Sequence, residues 1–330
     1  MPKIRLLAVL FTALAFVAAA CGGDDGSSST DQGSTDQIST EDEAATRTTA
    51  AVVADDEAAA DFPVTIESEG GTWTLDSRPE RIVSLSPTAT EILFAVGAGE
   101  QVVAADEYSN YPPEAPATDL SGFDPNVEAI IGYEPDLVVI ANDANELVAG
   151  LTAVDIPVLV SSAPADIEGG YASMAELGAA TGRVDETAAA AADLRADIEA
   201  ALAGAPQSTV RLYHELDDTY FSASSFGFVG AVYAELGATN IADEADVEKY
   251  GFPQLTEEYI VEANPELIVI TDQVAYSAGD VAARAGWDQI SAVENGNILV
   301  VEADTASRWG PRLPQFITAV TDALAGVPAS

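Results

Sequence analysis

The chain is poor in the residues that most metal and redox chemistry requires. It holds one cysteine, Cys21, and one histidine, His214, in 330 residues. A single cysteine excludes an intramolecular disulfide and a cysteine-ligated cluster, and a single histidine excludes a multi-histidine metal centre. Positive charge is also scarce. Twelve Lys and Arg stand against 55 Asp and Glu, a formal net charge of −43, and the lysines are Lys3 and Lys249 alone. Such a surface repels nucleic-acid phosphates and anionic membranes. The acids are scattered rather than clustered, which reads as solubility, as in a salty habitat. No Gly-x-Ser-x-Gly elbow occurs, and one histidine leaves few ways to build a catalytic triad.

The one long apolar run is at the start, "MPKIRLLAVLFTALAFVAAAC". Lys3 and Arg5 form a basic leader, the apolar stretch is short for a membrane span, and it ends in small residues. Residues 1–20 therefore read as a signal peptide. "AAAC" resembles the lipobox of bacterial lipoproteins, which implies cleavage before Cys21 and lipidation of its thiol. Ala18 departs from the larger aliphatic residue usual there. An ordinary secretory signal is the other reading, and both place the protein outside the cytoplasm. Residues 21–61, rich in Gly, Ser, Thr, Asp and Glu, are expected to be a disordered tether. About 40 such residues would span on the order of 35 Å.

Apolar residues make up 48% of the chain, enough for a sizeable core. "FPVTIESEGGTWTL" reads as a hairpin turning at Gly70-Gly71. "RIVSLSPTATEILFAVGAGEQVVAAD" reads as strand, helix, strand, a pattern shared with dinucleotide-binding units. In those units the glycines lie between strand and helix, where backbone amides meet phosphate. Here Gly97 and Gly99 follow the helix and end it, so the nucleotide reading fails. Further strands are expected in "LVVIA", "IPVLVSS", "VRLYHE", "ELIVIT" and "NILVVE". The long Ala-rich helix "VDETAAAAADLRADIEAALAG" would span about 28 Å, and a last helix is expected from Pro311.

Two segments align without a gap: "NVEAIIGYEPDLVVIA" (126–141) and "TEEYIVEANPELIVIT" (256–271), so that Glu128 matches Glu258 and Pro135 matches Pro265. Each is preceded by strand and helix and followed by another strand, which implies a pseudo-repeat. The expected fold is α/β: two Rossmann-like lobes, 62–182 and 206–330, bridged by a single long helix over 183–205. Ligands of open parallel sheets gather at the carboxyl ends of the strands, so the cleft is expected between the lobes.

The ordered set "RIVSLSPTATEILFAVGAG", "YSNYPPEAP", "NVEAIIGYEPDLVVI", "FPQLTEEYIVEANPELIVIT" and "ASRWGPRLPQF" resembles the solute-binding proteins of ABC importers for ferric siderophores, haem and cobalamin. The likeness runs over roughly 62–325. It implies a binding protein rather than an enzyme. It would act as a monomer that holds a metal chelate between its lobes and delivers it to an ABC permease and its ATPase, with no catalytic cofactor, no resident metal and no nucleic acid. Glu128 and Glu258 fall where that family docks on permease arginines, each able to accept a bidentate guanidinium. Tyr111 and Phe252 fall at positions aromatic in the cobalamin binder. A tryptophan of that binder is missing, and Gly122-Phe123 stands in its place. Phe123, Tyr220, Phe221 and Trp309 are expected at the cleft with them. Of the two arginines in "SRWGPR", Arg308 is assigned to an anionic ligand and Arg312 to a structural carboxylate partner. His214 could ligate haem iron axially. However, Asp217 and Asp218 nearby would raise its pKa and weaken it as a neutral ligand. Corrinoid, ferric siderophore and haem stay open, the corrinoid favoured by "YPP" and "FPQL". The rival reading is an extracytoplasmic α/β hydrolase-like enzyme using Ser84 or Ser86.

Overall fold

The computed structural model describes residues 62–205 and 209–328. The signal-like segment, Cys21 and the expected tether lie outside the described residues. The chain enters through an antiparallel hairpin, β1 (Val64–Ser68) and β2 (Gly71–Leu75). Its turn is Glu69-Gly70, one residue earlier than expected, because Gly71 (φ +108°) already pairs with Ser68.

Two four-stranded parallel sheets follow. The first holds β3 (Ile82–Leu85), β4 (Val102–Ala105), β5 (Leu137–Ile140) and β6 (Val158–Val160) in the order β4-β3-β5-β6. The second holds β7 (Arg211–His214), β8 (Thr239–Asn240), β9 (Leu267–Thr271) and β10 (Ile298–Val301) in the order β8-β7-β9-β10. Both orders are second, first, third, fourth, so the two lobes share one topology. β3 and β5 are buried at every residue, as parallel strands covered on both faces are expected to be.

The pseudo-repeat extends to single hydrogen bonds. Helix Val127–Ile131 is capped by Asn126, whose side chain accepts from Ala129 N, and helix Glu257–Ala263 by Thr256, which accepts from Tyr259 N. Each helix gives way to a residue with positive φ just before the proline, Glu134 (50°) and Asn264 (49°). At the start of the first strand in each lobe an arginine Nε donates to the carbonyl of that residue, Arg81 to Glu134 and Arg211 to Asn264. The acid after the proline then accepts that arginine's own backbone N–H: Asp136 from Arg81 at 2.9 Å, Glu266 from Arg211 at 3.1 Å. These matched pins explain why the segments around 126–141 and 256–271 align without a gap.

One apolar cluster runs through both lobes. Ile82, Leu137, Val139 and Leu159 on the inner face of the first sheet join Leu212, Leu267, Val269 and Val301 of the second, with helices Pro87–Ala95, Ile167–Ala180 and Leu313–Gly326 between them. Separate outer clusters lie under Val127–Ile131 and under Glu257–Ala263. The connecting helix, Val184–Ala203, is 20 residues, about 30 Å long. It contributes Leu194 and Ile198 to the shared core and packs against both Ile167–Ala180 and Leu313–Gly326.

Two expectations are corrected here. The last helix begins at Leu313 with Pro314 in its first turn, so Pro311 precedes it. Trp309 does not reach the cleft. It is 1% exposed, donates Nε1 to the Ile167 carbonyl at 3.0 Å, and meets Tyr171 edge-on at 5.1 Å. Its ring lies against Gly170, where any Cβ would collide with the indole. Trp309 thus locks the second lobe onto helix Ile167–Ala180, held there by its hydrogen bond and by the Tyr171 ring. Gly170→Ala is expected to destabilise the protein by about 1–3 kcal/mol, read from the urea midpoint. An unchanged midpoint would contradict this packing role.

Candidate functional site: the cleft between the lobes

A cleft of about 450 Å³ opens where the carboxyl ends of the two sheets face each other. The first lobe supplies Ser86 and Thr88 after β3, Asp106 and Tyr108 after β4, Phe123, and Asn142 after β5; the second supplies Gln273, Asp304, Ser307 and Arg308. Gly122 lets the loop carrying Phe123 lie on the end of β3, since a Cβ there would come 2.5 Å from the Leu85 carbonyl. Phe123 is thereby raised to 75% exposure, edge-on to Tyr108 at 5.7 Å. Beneath them runs a buried polar chain, from Ser84 to Thr90 (2.8 Å), Thr90 to Ser109 (2.8 Å) and Ser109 Oγ to Asp106 Oδ1 (2.6 Å). Burial pushes the Asp106 carboxyl above its ordinary pKa, partly offset by the Ser109 hydrogen bonds.

The floor is closed by a charge cluster that crosses between the lobes. Glu91, on helix Pro87–Ala95, is 1% exposed. It accepts from Arg312 Nε at 3.0 Å and Arg312 Nη2 at 2.6 Å, and from Arg308 Nη1 at 3.1 Å. Arg308 also donates to Asn110 Oδ1 (2.9 Å), the Tyr108 carbonyl (3.0 Å) and Asp304 Oδ1 (2.7 Å). Each terminal nitrogen of Arg308 therefore makes two hydrogen bonds, which uses all four of its terminal N–H groups. Arg308 borders the cleft as expected, but it has no terminal donor left for an anionic ligand. That assignment is corrected by the count of its bonds. Arg312 has the carboxylate partners expected of it, Glu91 and Glu302, and its guanidinium lies 4.4 Å over the Tyr111 ring.

The aromatic positions divide. On the second lobe the segments around 221–227 and 250–255 pair as a ribbon, Ser222 N to Pro253 O and Leu255 N to Tyr220 O. This ribbon carries Phe221 (38% exposed) and Phe252 (55%), and with them Phe226 and Tyr250, which the sequence reading passed over. Tyr220 is half-buried and stacked on Trp287 at 6.1 Å, so its ring supports the ribbon from within the lobe.

The profile of the family described as "Periplasmic binding protein" matches residues 82–305. A "Cobalamin-binding protein" of Halobacterium salinarum is 33% identical over 279 residues, covering 80% of this chain and 75% of that protein. The chain belongs to the periplasmic binding protein family. An "Uncharacterized ABC transporter substrate-binding lipoprotein YvrC" of Bacillus subtilis is 28% identical, covering 80% of this chain and 86% of that one. Among solved structures, a periplasmic vitamin B12 binding protein of Vibrio cholerae superposes with a TM-score of 0.63 at 24% identity, over 75% of this chain and 97% of its own. A periplasmic heme-binding protein of Roseiflexus superposes with a TM-score of 0.67 at 25% identity, over 74% and 97%. The two-lobed α/β architecture read from the sequence is thus that of a periplasmic binding protein, a substrate-binding protein and not an enzyme.

The hydrolase reading also fails on local geometry. Ser86 caps helix Pro87–Ala95, accepting from Ala89 N, while Ser84 is held by Thr90. His214 is 1% exposed in the core of the second lobe and shares a 2.7 Å hydrogen bond with Tyr233. Among the described residues its Nε2 has no partner. Burial lowers its pKa from 6.5 to about 4, opposite to the rise expected from nearby acids. A buried imidazole outside the cleft is unsuited to haem ligation.

The expected docking acids are placed alike. Glu128 and Glu258 are exposed in the first turns of the matched helices on the outer faces of the two lobes, and neither is in an ion pair among the described residues.

Two measurements check this site. Glu91→Gln leaves two buried guanidinium groups without their shared partner and is expected to cost on the order of 3–5 kcal/mol. Glu168→Gln, which removes an exposed partner of Arg195, is expected to leave the midpoint where it was. Equal effects would contradict the buried tie. The imidazole NMR signal, unique because His214 is the single histidine, is expected to stay at its neutral position from pH 8 to about 5. The unfolded chain takes up that proton near 6.5 and the folded one only near 4, so the fold loses stability as pH falls through this window. A midpoint at the ordinary value would overturn this placement.

Proposed function

We propose that this protein is the extracytoplasmic receptor of an ABC importer, capturing a metal chelate, first of all a corrinoid, and presenting it to a membrane permease. The observation that carries the reading is the cleft itself. It lies at the carboxyl ends of both sheets, has aromatic rings at its rim and uncharged polar groups (Ser86, Thr88, Asn142, Gln273 and Ser307) along its walls. A corrin presents a broad apolar ring edged by amides, which suits aromatic contact combined with neutral hydrogen-bonding partners. The relatives named for cobalamin or vitamin B12 support the same choice. Tyr111, Phe123, Phe221 and Phe252 are the side chains proposed to meet the guest, with Tyr220 acting through the ribbon it supports.

Glu128 and Glu258 are proposed to dock on permease arginines, one from each lobe. Exposed carboxylates held at matched places by matched caps give two anchor points at a fixed separation, and their free acceptors favour bidentate guanidinium contacts. Cys21 is proposed to carry a lipid anchor that keeps a monomeric receptor near its transporter.

Calorimetric titration with cyanocobalamin is expected to show stoichiometric binding. The double variant Glu128→Ala/Glu258→Ala is expected to bind equally well but to deliver nothing to its transporter in reconstituted vesicles. If the wild-type protein binds no corrinoid and no ferric chelate, the reading is wrong. If the double variant still supports uptake, the docking assignment is wrong.

A further inference from the structure

We propose that the cleft selects its guest by charge, admitting uncharged or cationic chelates and rejecting polyanionic ones. This rests on the reading of the cleft as the chelate site and narrows the class of chelate it takes.

Three observations converge. The charged groups bordering the cleft are Asp106, Asp304 and Arg308, and Arg308 is already bonded to Glu91 and Asp304, with its terminal N–H groups occupied. The positive charge at the floor is therefore neutralised by protein carboxylates, whereas Asp106, 1% exposed, borders the cleft with no cation in an ion pair among the described residues. Next, the scarcity of cations extends beyond the floor. Every described arginine donates to a carboxylate, carbonyl or amide of the protein, and Lys249 lies 4.9 Å over the Phe226 ring. Finally, the second lobe continues the acidic lining. A neighbouring concavity that shares Gln273 with the cleft is bordered by Asp217 and Asp218.

A polyanion entering here would meet carboxylates in a partly desolvated space and find, among the described residues lining the cleft, no free terminal guanidinium N–H and no ammonium to replace its lost hydration, which costs more than the same encounter in water. An uncharged guest meets only amides, hydroxyls and rings. A cationic guest gains from Asp106 and from the electron-rich faces of Tyr108 and Phe123. Haem propionates and ferric catecholates are thereby excluded by electrostatics, while amide-edged corrinoids and uncharged or cationic ferric hydroxamates are admitted.

The test is competition calorimetry on the whole protein with probes of graded charge: aquacobalamin (cationic), cyanocobalamin (uncharged overall), dicyanocobinamide (the uncharged, amide-edged ring without the nucleotide loop), cobyrinic acid (the ring without that loop and with carboxylates in place of its amides), the cationic ferrioxamine B, haemin and a ferric tris-catecholate. We expect dicyanocobinamide to bind at least about tenfold more tightly than cobyrinic acid, and aquacobalamin at least as tightly as cyanocobalamin. This gap should shrink as KCl is raised to about 1 M, where screening shortens the reach of the carboxylates. Asp106→Asn is expected to narrow it in the same sense, and the salt series on wild-type protein decides the matter if that variant folds poorly. Haemin or the catecholate binding as tightly as cyanocobalamin, or cobyrinic acid as tightly as dicyanocobinamide, would overturn the charge selection and leave chelate binding standing. No binding of any probe would instead overturn the chelate reading on which it rests.

Discussion

The structure depends on one carboxylate. Glu91 sits on a helix of the first lobe, is closed off from water, and is shared by two arginines of the second lobe. A buried charge is tolerated only when its hydrogen-bonding capacity is filled, and here two guanidinium groups fill it from across the domain boundary. The tie fixes the lobes at the base of the cleft, complementing the connecting helix, and it sets the electrostatics of the cavity above. The arginines that would make an anion site are turned to structure. Apart from Arg308, whose terminal N–H groups are taken up, what lines the opening is uncharged, aromatic or acidic.

Around that tie the two lobes repeat a plan. The same strand order and the same arginine–carbonyl–carboxylate pin recur in each, and so does the same capped helix with a glutamate in its first turn. The repeat is conserved at the amino-terminal ends of the strands and abandoned at their carboxyl ends, where the loops diverge. One lobe raises Phe123 on a glycine, and the other builds a paired ribbon bearing Phe221 and Phe252. Rigid, matched scaffolding with unmatched loops is the division of labour expected of α/β proteins, where the sheet positions and the loops recognise.

Much of this was legible in the sequence because periodicity and punctuation agree with the fold. Apolar runs marked seven of the eight parallel strands and missed β8, the two residues Thr239–Asn240, which carry no apolar signal; Gly97 marked the end of a helix, and the gapless alignment of two segments marked the lobes. Side-chain destinations were harder to read. "SRWGPR" shows two cations and a ring but not which way they face. The ring went into the core against Gly170, and both cations went to one glutamate more than 200 residues earlier. Glu91 did leave a trace, an acid in the middle of "ATEILF" with apolar neighbours on the same helix, and a buried acid of that kind requires a cationic partner. His214 misled for a related reason. The sequence shows the acids that follow it but not the burial that outweighs them.

The apolar mass that runs unbroken from the first sheet through the connecting helix into the second has a thermodynamic corollary. Neither half can melt alone without leaving the other half's inner surface bare to water, so heat or denaturant should take the whole molecule down in a single cooperative step. A chain cut down to either half would carry an exposed greasy flank and tend to clump rather than fold. The receptor is two-lobed in outline but indivisible in its energetics.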